Sequence, residues 1–333
     1  MKPFQYIHAA DPNAAVQAVL LNPNGTFFAG GTTLIDLMKL DVLTPNELVD
    51  VKGLPFDAIE VDESGVHIGA NVSNSHLAWH PEIRTRYKAI SEALLSGASP
   101  QLRNMATTAG NILQRTRCPY FRNAGARCNK RVPGSGCDAL MGDNSSHAVL
   151  GTSDLCIATH PSDLCVPLAA LDAVVRTRTP GGRIRSIPFT GFHVAYGKQP
   201  ERESVLEHGE LITHIDIPAL AMAATSHYVK VRERASYQFA LASAAVALQM
   251  EGDQITDCRI ALGGIATKPW RAPEAEEALR GGPANLESFR RAADLALSGA
   301  VPRKHNGYKV ELAKRTIVVA LGETLNRIGV THG

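Results

Sequence analysis

The sequence predicts an α+β protein of two or three compact units. Helical and strand-like patterns alternate through the first hundred residues, residues 166–218 read mostly as strand, and three helical stretches close the chain. At 333 residues, each unit can bury a core of its own. The 44% hydrophobic and 20% charged content is that of an ordinary globular chain, which excludes intrinsic disorder as the main state. A net charge of +2 gives no polyelectrolyte argument for nucleic acid or a membrane surface. No apolar stretch reaches the roughly 18 residues of a membrane span.

The elements follow in order. Asp11-Pro12 is a helix start, with Asp as N-cap and Pro at the first helical position, and it opens residues 13–21. Asn24-Gly25 is a turn, and residues 26–29 form a short buried strand. Gly30-Gly31-Thr32-Thr33 then runs straight into a helical pattern of Leu34, Ile35, Leu37, Met38 and Leu40. Residues 47–51 are a strand, and alternation of Val66, Ile68 and Ala70 within 61–70 marks a half-buried one. Helical periodicity returns over 84–95 and ends at Gly97. Strands are expected at 173–178 and 184–187, joined by a Gly181-Gly182 turn, and at 211–217, closed by Pro218. The small-residue stretch 219–226 is the expected domain boundary. Beyond it come strand 228–231, an Ala-rich run over 240–250, strand 255–262 and helices near 273–279, 286–300 and 310–325.

Two glycine-rich turns carry chemical weight. The first, Ala29-Gly30-Gly31-Thr32-Thr33-Leu34, links a buried strand to a helix. Such a turn lets backbone N–H groups approach an anion, and Thr32 and Thr33 can add hydroxyl donors. The same residues also make an ordinary tight strand–helix turn, and the motif alone does not choose between the two. The second, Ala106-Thr107-Thr108-Ala109-Gly110-Asn111-Ile112, repeats the pattern, and two such turns suit a diphosphate held from two sides. Gly134-Ser135-Gly136-Cys137-Asp138-Ala139 matches G-x-G-x-x-A but follows no strand, so it is rejected as a dinucleotide fingerprint.

Four of the six cysteines, Cys118, Cys128, Cys137 and Cys156, fall within 39 positions, which favours metal binding over a disulfide scaffold. Their spacing lacks the close C-x2-4-C pairs of zinc sites, and an iron–sulfur cluster accepts looser spacing. Zinc and disulfides stay open as alternatives on spacing alone. Residues 115–137 hold six basic side chains (Arg115, Arg117, Arg122, Arg127, Lys130, Arg131) and no acid, which is expected to favour thiolates. Cys165 and Cys258 sit in apolar segments and are expected in the core. The twelve histidines show no catalytic pattern. Ser162 and Asp163, in His160-Pro161-Ser162-Asp163, read either as hydroxyl-binding groups or as a turn capping the next helix.

These segments together resemble the FAD-binding subunit of the molybdenum hydroxylases, the xanthine dehydrogenase family. The first turn with Phe27-Phe28 before it, Gln101-Leu102-Arg103-Asn104 through Gly110-Asn111, and His160-Pro161-Ser162-Asp163 carry the likeness. So do Gly209-Glu210-Leu211-Ile212, Tyr228-Val229-Lys230-Val231-Arg232, and Gly263-Gly264-Ile265-Ala266 with Pro269-Trp270-Arg271. The resemblance implies a two-subdomain FAD-binding domain of the PCMH or vanillyl-alcohol-oxidase type over 1–220, split near residue 55. A smaller α+β domain of the CO dehydrogenase flavoprotein type would follow over 224–330.

It also implies site residues. Phe27, Phe28, Ala29, Gly30, Gly31, Thr32, Thr33 and Leu34 would meet FAD from one side, and Ala106, Thr107, Gly110, Asn111 and Gln114 from the other. Ser162 and Asp163 would lie near the ribityl chain and flavin, Ile212 would pack by the ring, and Lys230 would reach it. Thr33 stands where some relatives have an acid. The insert at about 114–156 looks like that of the flavin subunits of bacterial periplasmic aldehyde oxidoreductases, implying a [4Fe-4S] cluster on Cys118, Cys128, Cys137 and Cys156.

The implied role is electron transfer in a heterotrimer that oxidises aldehydes with water to carboxylic acids. A large subunit would hold the molybdenum cofactor, and a small subunit two [2Fe-2S] clusters. The flavin subunit of a hydroxybenzoyl-CoA reductase is the alternative within the family, and a zinc-stapled binding protein the alternative outside it. The N-terminus, Met1-Lys2-Pro3-Phe4-Gln5-Tyr6, has no apolar signal region, so a periplasmic place would need co-export with a signal-bearing partner; a cytoplasmic place is the alternative.

Overall fold

A computed structural model describes residues 1–329, and among these the strands form three sheets. The first is parallel, with Glu47–Asp50 between Gln5–His8 and Gly25–Phe28. Helix Pro12–Leu21 covers it; Asp11 Oδ1 accepts the N–H groups of Asn13 and Ala14, so the expected cap forms. Ala15, Val16 and Val19 bury against Val49, Val51 and Leu54, and Leu211 joins this core from the next sheet.

That next sheet is antiparallel, in the order Ile59–Asp62, Gly65–Gly69, Leu211–Pro218, Val174–Arg178, Ile184–Pro188. The single strand expected over 61–70 is a hairpin. Asp62 Oδ1 accepts the N–H of Ser64 at 2.7 Å and of Gly65 at 3.2 Å, which closes the turn. Gly65 has φ +143°, and a Cβ there would stand 2.1 Å from the Ile217 carbonyl oxygen. The helix expected over 84–95 is also divided, into Pro81–Arg86 and Lys88–Ser96. The break falls at Tyr87, whose ring is buried and whose hydroxyl donates to Pro218 O at 3.2 Å.

The third sheet, antiparallel, runs His227–Val231, Ala242–Glu251, Gln254–Gly263, Trp270–Arg271, and helices Pro273–Leu279, Leu286–Ala296 and Tyr308–Ile328 pack on it. The Ala-rich run is thus a central strand. Alanine favours helix in isolation, but pairing on both edges and close packing of the long helix decide the outcome here.

The insert is tied to this C-terminal domain. Lys309 is fully buried and donates to Ser146 O at 2.8 Å and Gly264 O at 2.7 Å. Burial pulls its pKa down to about 7 from an ordinary 10.5. Between those values the unfolded chain holds one more proton than the folded chain, so this group adds stability as pH rises from 7 toward 10. Urea unfolding at pH 7 and pH 9 is expected to show that gain in the native chain, and a smaller one in Lys309→Met.

Candidate functional site

The two glycine-rich turns face each other across one cleft. It has two lobes, of about 300 Å³ and about 490 Å³, which share Thr32, Thr33 and Gly110 at their junction. Gly30 explains why the turns approach so closely: a Cβ there would lie 2.1 Å from Met105 O. Helix Leu34–Lys39 is only six residues long, and the Thr33 hydroxyl makes no cap bond. The first turn therefore offers N–H groups ahead of the opening helical bond, Ile35 N–H to Gly31 O at 3.0 Å.

The second turn works differently. Thr108 N–H donates to Val72 O at 2.9 Å, Ala109 N–H to Ala70 O at 3.0 Å and Asn111 N–H to Thr107 O at 2.8 Å. Gly110 N–H donates to Thr107 Oγ1 at 3.2 Å. Gly110 thus gives space instead of a free donor, since within 4 Å an added Cβ would meet Thr107 Oγ1 alone.

Of the expected contacts, Phe27, Ile212, residues 29–34, Ala106, Thr107, Gly110, Asn111, Gln114 and Asp163 line the cleft. Three do not. Phe28 stands behind the first turn, edge-on to Tyr6 at 5.7 Å. Ser162 lies beneath the surface, where its Oγ donates to Asn111 Oδ1 at 2.6 Å and accepts Cys165 N–H at 3.2 Å. It therefore satisfies the first N–H of the next helix and also ties two loops of the cleft together. Lys230 is held behind Asp163, donating to Asp163 Oδ2 at 2.8 Å and to Ser96 O at 3.1 Å, while Tyr228 Oη donates to Asp163 Oδ1 at 2.6 Å. Lys230 reaches the cleft only through that carboxylate, which it orients.

The sequence reading missed the far wall of the larger lobe. Arg234, Tyr237, Gln238 and Phe239 come from the C-terminal hairpin loop, and Arg117 stacks on Phe239 at 5.0 Å. No periodic or glycine signal marks that loop; its link to the cleft is purely tertiary.

Cys118, Cys128, Cys137 and Cys156 all line one small cavity beside Phe121, Lys130 and Ala158, and all are free thiols. Among the described residues, the one histidine, cysteine or acid trio with ligand atoms mutually within 4.8 Å is His160, Cys165 and His193. No three of the four sulfurs thus lie mutually within 4.8 Å, whereas a tetrahedral zinc with 2.3 Å bonds would hold all four about 3.8 Å apart. A cluster that itself spans several ångströms fits that spacing better than a single ion.

The basic residues do not act as expected, because acids from elsewhere in the chain pair with them. Arg117 and Arg122 share Asp36 at 3.0 and 2.6 Å, Arg127 meets Asp138 at 2.7 Å, and Lys130 meets Glu203 at 2.7 Å. Arg115 also bonds Glu203, and Arg131 donates to the carbonyls of Tyr120 and Phe121. Burial consequently dominates the thiols, pushing Cys118 up to about 11 and Cys156 up to about 12, with Cys137 raised as well. Opposing it are backbone N–H groups of Phe121 and Tyr120 on Cys118, of Ala139 and Leu140 on Cys137, and, on Cys156, the Lys130 charge and the Ala158 N–H. Burial outweighs the nearby cations, and the Lys130 charge on Cys156 offsets it only in part.

Residues 2–220 match the family described as the FAD binding domain in molybdopterin dehydrogenase, and residues 227–324 match the CO dehydrogenase flavoprotein C-terminal domain. The chain is 48% identical over 324 residues to the aldehyde oxidoreductase FAD-binding subunit PaoB of Escherichia coli (strain K12), covering 97% of this chain and 98% of that protein. It is 27% identical over 325 residues to the glyceraldehyde dehydrogenase medium chain of Sulfolobus acidocaldarius, covering 96% and 98%. Its fold matches a solved carbon monoxide dehydrogenase chain from Hydrogenophaga pseudoflava with a TM-score of 0.77 and 26% identity over 98% of each chain.

Proposed function

The chain belongs to the FAD-binding subunits of the molybdopterin dehydrogenases, and on that premise we propose that it is the FAD and [4Fe-4S] electron-transfer subunit of a molybdenum aldehyde oxidoreductase. The observation that supports the cluster is the gathering of four free cysteines at one cavity, with no three of their sulfurs mutually within 4.8 Å. The aldehyde class comes from the 48% identity to an aldehyde oxidoreductase subunit over nearly the whole chain.

When bound, FAD supplies a centre that takes electrons singly and gives them up in pairs, and the cluster supplies a one-electron relay. The chain's own residues hold and shape these groups. The first turn would present N–H and hydroxyl donors to the diphosphate, and Gly110 leaves space on the opposite side. Asp163, fixed by Lys230 and Tyr228, keeps lone pairs free for a hydroxyl or ring N–H of the ligand. No general base or nucleophile would be needed here, because the molybdenum cofactor of a large partner subunit would supply the chemistry of aldehyde and water, and [2Fe-2S] clusters of a small subunit would deliver the electrons. Export of the folded assembly with a signal-bearing partner would place it in the periplasm, which cell fractionation tests.

Purified assembled complex is expected to show flavin bands with a broad iron–sulfur shoulder and to turn over aromatic aldehydes with an artificial oxidant. The full chain alone, purified without oxygen, is expected to carry flavin and about four irons. A colourless chain would remove both cofactors from it. Ferredoxin-driven thioester reduction without aldehyde turnover would move the enzyme to the CoA-ester reductases.

A further inference from the structure

His147 was no part of the expected site, yet its ring reaches one of the four cysteines. Its Nε2 lies 3.1 Å from Cys118 Sγ, and the residue is 1% exposed. A metal-bound thiolate has no proton and can only accept, so Nε2 must carry the hydrogen of this pair. Nδ1 makes no hydrogen bond of normal geometry among the described residues, so the Cys118 sulfur is the one well-formed partner of the ring.

The ring is also held in place through its backbone. His147 N–H donates to Asn144 O at 3.0 Å. Buried Asn306 donates from Nδ2 to His147 O at 3.3 Å and to Ala148 O at 3.0 Å, and Lys309 holds the carbonyl of Ser146 at 2.8 Å. Asn144 Oδ1 accepts the His305 N–H at 3.0 Å. The segment carrying His147 is therefore anchored to residues at the start of the long C-terminal helix. Among the described residues, no other side chain donates a hydrogen bond to any of the four cysteines.

We propose that His147 is a positioning residue for the iron–sulfur cluster, donating from Nε2 to Cys118 Sγ and thereby raising the cluster's reduction potential. The proposal rests on the reading that these cysteines hold a cluster. A hydrogen bond to a ligand sulfur stabilises the more negative, reduced form more than the oxidised form, so its loss lowers the potential.

The test uses the full chain purified without oxygen, its iron counted and its cluster titrated by EPR. His147→Phe removes the donor and keeps a ring of similar size; His147→Gln restores an N–H donor. Phe is expected to keep about four irons and show a lower midpoint, with Gln returning toward the native value. Full iron in the Phe variant at the native midpoint overturns the proposal. A native chain without iron overturns the cluster reading instead. Should the Phe variant lose its iron, the native chain labelled with ¹⁵N-histidine decides: pulsed EPR of the reduced cluster is expected to show one weakly coupled histidine nitrogen, and its absence overturns the proposal.

Discussion

Cys128→Ser is expected to remove about four iron atoms per chain and to expose residues 114–156 to proteolysis. Cys128 and Cys137 are bridged as an antiparallel pair, and their loop is closed by Gly136 N–H to Asn129 Oδ1 at 2.8 Å and Cys128 N–H to Ser135 Oγ at 3.2 Å. The local core is thin. It consists of Phe121, Ala139, Ile157, Ala158 and a few neighbours, and Cys118, Cys128 and Cys156 are themselves members of it. A centre held by four thiolates would therefore supply much of what keeps the insert ordered, and its loss should loosen the whole loop. Iron analysis and limited proteolysis of chain purified without oxygen check both effects. Cys165 and Cys258 are fully buried in two other cores, so replacing either by alanine should leave the iron count unchanged. Iron lost with Cys165 and kept with Cys156→Ser would mean that the fourth ligand is Cys165. Zinc in place of iron would end the electron-transfer role of the insert.

Gly110→Val is expected to strip FAD from a chain that still folds, with affinity down at least about tenfold, or 1.4 kcal/mol. The contrast with Gly30 makes this separable. A side chain at Gly30 would strike the main chain of Met105 and force the two turns apart, so that substitution confounds folding with binding. At Gly110 the first Cβ contact is the Thr107 hydroxyl at 3.0 Å, and the valine methyls would then enter the cleft junction. The flavin-to-protein ratio, read beside circular dichroism and thermal unfolding, measures the two effects independently. A full flavin complement would take Gly110 out of the cradle.

Local chemistry made much of this legible in the sequence. The Asp11-Pro12 start and the Gly-Gly turn act over a few residues, and the structure shows the cap formed, the turn lining the cleft and the four clustered cysteines gathered at one cavity. What could not be read depends on partners distant along the chain. The arginine-rich run looked like an uncompensated cation patch because Asp36 and Glu203 lie about eighty residues to either side of it. Lys230 looked like a direct ligand because nothing local announces that Asp163 stands between it and the cleft. The Tyr237 loop and His147 carry no motif, and tertiary packing alone brings one to the cleft and the other to Cys118.

Asp36 has a thermodynamic consequence. It lies on the helix that follows the first glycine turn, and its carboxylate takes both Arg117 and Arg122, on either side of Cys118. The segment that would cradle the diphosphate and the segment that presents a sulfur ligand are thus fastened to the same group. Ordering one would restrain the other, and linkage would make the benefit mutual: any factor by which a filled metal centre tightened nucleotide binding would be the factor by which bound nucleotide tightened the metal. With FAD and a cluster bound as proposed, occupancy of the two sites would be correlated across the population, and half-loaded chains would be rarer than two independent equilibria give.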